Sequence, residues 1–185
     1  MKVKKKKGEI EFFISSIILA VVVLIMIMGM RLNIIKTTQE YVEDGLVASN
    51  LAAATIDLNE FGSSNNIINS NFEQSFNDYK EALKINLNLD DNFIPKAKTL
   101  INSKVNIEEF TIYNVVGNDV QMIRRSSNGN IDNITYSNKL GSIKTPNGVK
   151  INSTTIYSKI GFEIKGYLKD THYVYKENSV DIVKN

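Results

Sequence analysis

The alternation of apolar and polar positions divides the chain into three stretches of different period. Residues 12–30 are an uncharged apolar run of 19 residues. As a helix rising about 1.5 Å per residue, such a run spans roughly 29 Å, the thickness of a bilayer's hydrocarbon core. It is preceded by Lys2, Lys4, Lys5, Lys6 and Lys7 and by Gly8-Glu9-Ile10-Glu11. A cleavable secretory signal has an apolar core of about 7–15 residues and a small-residue exit of the Ala-x-Ala type. Here the core is longer and ends Ile-Met-Gly-Met-Arg, so it reads as an uncleaved membrane anchor.

Beyond Arg31 the period becomes that of an amphipathic helix, predicted over residues 31–60. Ile35, Val42, Ser49 and Ile56 recur every seven residues, with Thr38, Gly45 and Ala52 offset by three. Together they form one stripe with small residues in several layers. A stripe of this kind packs either on its own domain or on a neighbouring helix. Gly62-Ser63-Ser64-Asn65-Asn66 ends the pattern, and a shorter helix is predicted over 72–85. Its Phe72, Phe76, Tyr79 and Leu83 share one face. Pro95 marks a boundary, and a weaker helix is predicted over 96–103.

From Phe110 the period falls to two. Strands are predicted over 110–116, 119–125, 130–136 and 154–168, with a last one over 172–176 and another over 180–183. Gly117-Asn118, Asn128-Gly129 and Pro146-Asn147-Gly148 supply turns. The expected fold class is α+β. In it, an N-terminal transmembrane helix extends into a long amphipathic helix packed on a C-terminal antiparallel sheet. The expected domains are a basic leader (1–8), a transmembrane helix (9–30) and one outer domain (31–185), with its sheet in 110–185.

Charge orients this arrangement. The first 30 residues carry five Lys and two Glu, a net of +3. The remaining 155 carry 17 Lys plus Arg against 18 Asp plus Glu. Lysines beside an apolar segment stay on the cytoplasmic side, so the N-terminus is expected inside the cell membrane and the domain outside. The near-neutral outer part has no basic field for nucleic acid. Its densest basic spot, Arg124-Arg125, reads as solvated surface near a turn.

Candidate chemistry is sparse. With no cysteine, thiol catalysis and Cys-based metal sites are excluded. His172 is the single histidine, and Asp90-Asp91 lacks the spacing of a calcium loop. Ser63-Ser64 and Ser126-Ser127 lie in turn-like segments without an evident base. No phosphate loop occurs. Tyr157, Tyr167, Tyr173 and Tyr175 read as sheet residues, with an exposed aromatic cluster for glycan or protein as the alternative. No enzyme activity, cofactor or metal is expected.

A basic leader, a Gly, acidic residues at the head of an apolar helix, an outward helical extension and a C-terminal sheet resemble type IV pilin-like proteins. The order is similar above all to the TadE-like minor pilins of tight-adherence systems, in which the acidic residue precedes an aromatic one, here Glu11-Phe12. The specific likeness covers about residues 4–30. It implies that a prepilin peptidase cuts after Gly8, leaving Glu9 as the new N-terminus. It also implies that Glu11 acts in assembly with other pilin-like subunits. The family's glutamate is usually fifth after the cut, whereas Glu11 is third and Glu9 first. Glu9 and Glu11 therefore have a second reading, as charges at headgroup level beside the lysines. The expected function is a membrane-anchored, structural minor subunit of a surface filament or secretion apparatus. The alternative is a single-pass anchored binding domain with no filament role.

Overall fold

The computed structural model describes residues 2–97, 101, 103–165 and 171–183, with side chains from Gly8 onward and only the backbone of Lys165. The chain divides into two units, Met1–Glu40 and Tyr41–Asn185. Helix α1, Lys2–Ala52, runs through the first and opens the second.

In the first unit every residue over 8–34 is exposed. Phe12 is 76% exposed and Ile25 63%, so the apolar surface goes all the way round the helix. A surface helix of a water-soluble domain has a polar face, and this one has none. Among the described residues it is the one helix long and apolar enough to cross a membrane. A helix satisfies its own backbone groups, the requirement for crossing lipid. Ser16 also returns its hydroxyl to the Phe12 carbonyl at 2.9 Å.

The second unit is an α+β domain. Its further elements are α2 (Leu58–Ser64), α3 (Phe72–Asn86) and five strands: β1 (Asn106–Val116), β2 (Asp119–Ser126), β3 (Ile131–Tyr136), β4 (Thr154–Lys165) and β5 (Thr171–Ile182). The strands form one antiparallel sheet in the order β3-β2-β1-β4-β5. Gly117 at φ 58° opens the two-residue loop between β1 and β2, a conformation glycine adopts without steric cost.

The first face of the sheet is covered by helices. Phe110 on β1 is fully buried, with ring centroids 5.6 Å from Phe72, 5.3 Å from Phe76 and 5.0 Å from Tyr79. The face predicted for α3 is thus the buried one, and Asn71 caps the helix by accepting from the Gln74 N–H at 3.0 Å. The last turns of α1 bury Val42, Leu46, Ser49 and Asn50, and Ala53, the residue after its end, is buried with them. Gly45 lies against the end of α3, where a Cβ would stand 2.5 Å from Leu87 Cδ2. The second face carries a smaller core of Tyr113, Val120, Met122, Ile151 and Tyr157. Leu140 and Ile143, from the connection between β3 and β4, pack against it.

The stripe predicted on α1 holds at Val42, Gly45 and Ser49 and fails beyond them. Ala52 is exposed and Ile56 is 39% exposed. A strict seven-residue repeat drifts about 20° per heptad around a straight α-helix. The buried set follows the true period and passes to Leu46, Asn50 and Ala53. The helix also stops at Ala52 rather than near residue 60, so Ile56 lies outside it. The two short terminal strands are one continuous β5. The weak helix expected over 96–103 falls in part outside the described residues; Lys96 and Ala97 form a bend, and Ile101 makes an isolated bridge to Ile164.

Gly45 provides the first test. Gly45→Ala drives a methyl group into the buried Leu87 and is expected to destabilise the domain by about 1–3 kcal/mol in denaturant unfolding of the full chain in micelles. Gly62→Ala, in α2 with nothing within 4 Å of its Cβ, is expected to be neutral or to gain up to about 1 kcal/mol. Equal effects at the two glycines would overturn the close approach of α1 to α3.

Candidate functional surfaces

The residues singled out for processing and assembly all lie on the exposed part of α1. Gly8, Glu9 and Glu11 are each exposed, and nothing lies within 4 Å of a Cβ built on Gly8.

In the domain, most polar candidates are engaged in local structure. Asp90 accepts from the Asn92 N–H at 2.9 Å and the Ile94 N–H at 2.8 Å, and so shapes a turn. Ser64 donates to the Glu60 carbonyl at 2.9 Å, and Ser126 to Asn128 Oδ1 at 2.5 Å. The two adjacent arginines are not freely solvated. Arg124 pairs with Asp132 at 2.5 Å, while Arg125 pairs with Glu73 and lies 4.6 Å over the Phe76 ring. Arg124 is held by its register with Asp132 on β3, and Arg125 by lying under α3 on the opposite face. His172 is exposed on β5. Among the described residues no group of three or more His, Asp or Glu is placed to hold a metal.

The tyrosines divide by position. Tyr157 is fully buried and donates to Glu177 Oε2 at 2.6 Å. Tyr167 lies outside the described residues. Tyr173 and Tyr175 are 43% and 57% exposed, with ring centroids 5.2 Å apart and planes at 76°. They stand on the second sheet face, beside Gly161 and Glu163 in the β4 register. The Tyr173 hydroxyl and ring rest where a Gly161 Cβ would be. That hydroxyl accepts from Asn106 Nδ2 at 3.1 Å and donates to Glu108 Oε1 at 2.7 Å. Lys159 Nζ sits 4.6 Å from the Tyr175 ring centroid. The local signal was the spacing Tyr-x-Tyr in one strand and Lys-x-Gly-x-Glu in another. Only the register joins them, through a β-bulge between Ile107 and Glu109 that turns Glu108 toward Tyr173.

Compared with known protein families, curated proteins and solved structures, the chain matches none.

The buried phenols define a pH response. Burial, reinforced by the Glu109 charge, pushes Tyr113 up to about 12. Burial also pushes Tyr79 and Tyr157 well above the ordinary phenol range, Tyr157 with help from its bond to Glu177. In the unfolded chain each ionises near 10. The folded state therefore holds more protons above that pH, and stability falls as pH rises. We expect stability independent of these groups below about pH 9, declining from about pH 10 through 12. Tyrosinate absorbance should rise together with loss of near-ultraviolet circular dichroism. Full ionisation of all tyrosines near pH 10 with the fold intact would contradict the buried positions.

Proposed function

We propose that this protein is a membrane-anchored, pilin-like minor subunit of a surface filament or secretion apparatus, with a structural role. The observation that carries the reading is the head of α1. Gly8-Glu9-Ile10-Glu11-Phe12 opens an apolar helix exposed on every side, and the same chain carries a packed α+β domain. The five lysines of the leader retain the N-terminus in the cytoplasm and put the domain outside the cell membrane. A prepilin peptidase cutting after Gly8 would remove all five, easing departure of the helix from the bilayer. Glu11 then lies near the positive end of the helix dipole and near the new amino group of a neighbouring subunit. An unpaired charge in apolar surroundings is costly, so carboxylate and amine favour pairing.

A second reading is a single-pass anchored binding domain without a filament role. The position of Glu11, third after Gly8, favours it over a major-subunit role. Intact-mass analysis of the membrane-extracted protein from its native host separates the two. The filament reading expects loss of residues 1–8, blocked by Gly8→Leu, and Glu11→Ala impairing incorporation into filaments while leaving membrane insertion unchanged. An intact leader in cells with an active peptidase would favour the anchored domain instead. Either way, protease added to wall-stripped cells should digest the domain and spare the N-terminus. Protection of a C-terminal tag would overturn the orientation.

A further inference from the structure

We propose that the open part of the second sheet face, at Tyr173 and Tyr175, is a docking site for a basic side chain, arginine or lysine, of a partner protein. The site is independent of whether the leader is cut.

Three properties of the patch point to a cation. The first is ring geometry. The two exposed tyrosine rings stand 76° apart with centroids separated by 5.2 Å, an edge-on contact, and the electron-rich faces it leaves open attract ammonium and guanidinium groups. The sheet already shows this attraction, since Lys159 Nζ stands 4.6 Å from the Tyr175 centroid. The second property is rigidity. Tyr173 lies over Gly161, where no side chain competes, and its hydroxyl is tied to Asn106 and Glu108. An exposed ring already held in place loses little freedom when a partner covers it.

The third property is charge. Lys159 lies in register between Glu109 on β1 and Glu177 on β5, so carboxylates flank its strand position on both sides. Glu108 and Glu163 flank the tyrosines: Glu108 bonds Tyr173, and Glu163 is its neighbour in register. Among the described residues neither forms an ion pair. Among the described residues the patch therefore sets two carboxylates without an ion pair, one of them accepting from Tyr173, beside two aromatic rings, complementary to a guanidinium or ammonium group and repellent to phosphate. Arginine and lysine carry that charge on an apolar stem, which the rings also cover.

The test uses the full chain in maltoside micelles with isotope-labelled tyrosine. N-acetyl-arginine methylamide and its lysine counterpart are titrated against the neutral citrulline analogue. Ring signals of Tyr173 and Tyr175 should shift with the two cations and not with citrulline. Tyr175→Leu and Glu163→Gln should each weaken binding by about threefold or more, the scale of one exposed cation–π or charge contact. Lys159→Gln should tighten it by about twofold, because it uncovers the Tyr175 face and removes a competing cation. That gain cannot come from misfolding. Equal shifts with citrulline, or no tightening in Lys159→Gln, would overturn the cation site. Tighter binding of choline than of arginine would overturn a protein partner in favour of a lipid headgroup.

Discussion

Burial of the central strand on both faces is the constraint on which the domain depends. Phe110 and Ile112 of β1 point to one side and Thr111 and Tyr113 to the other, and all four are buried. A sheet that buries both faces of its middle strand needs two covers. On the first side α3 supplies an aromatic cluster around Phe110, and the end of α1 and the residue after it add Val42, Leu46 and Ala53. On the second side the connection between β3 and β4 supplies Leu140, Ile143 and Ile151. The second cover is the smaller, so part of that face stays open. The exposed tyrosines stand there, on the edge strand β5.

Polar side chains fix how these layers meet. Asn114 on β1 accepts from the Asn69 N–H at 2.8 Å and donates to the Asn69 carbonyl at 2.9 Å. In this way it binds the segment before α3 to the middle of the sheet. Asn50 near the end of α1 accepts from Ser158 at 2.7 Å and donates to the Asn178 carbonyl at 3.2 Å, reaching both β4 and β5. A buried amide left without partners costs about 1–3 kcal/mol, so alternative registers that break these bonds are disfavoured. A chain without cysteine has no disulfide to do this, and buried amides set the layer register instead.

The apolar helix and the domain differ in what they bury. Residues 12–30 present apolar side chains all round, every one of them exposed. From Val42 onward the same helix shows a buried face and an exposed acidic one, with Glu43 paired to Lys176 at 2.8 Å.

The sequence by itself determined the elements with a strong local period. An apolar run of bilayer length, the one-faced aromatic spacing of Phe72, Phe76, Tyr79 and Leu83, and the alternating strands from Phe110 onward each express one local rule. Tertiary structure alone decided what depends on residues far apart in the chain. Seven-residue extrapolation placed Ala52 and Ile56 inside, but packing followed the 3.6-residue period and chose Ala53. The tyrosine patch unites Asn106, Glu108, Lys159, Gly161 and Tyr173 from three strands, and a bulge sets the approach of one to another. Burial of asparagines could not be read from their polarity, since a polar residue enters a core only where partners elsewhere in the chain complete its hydrogen bonds.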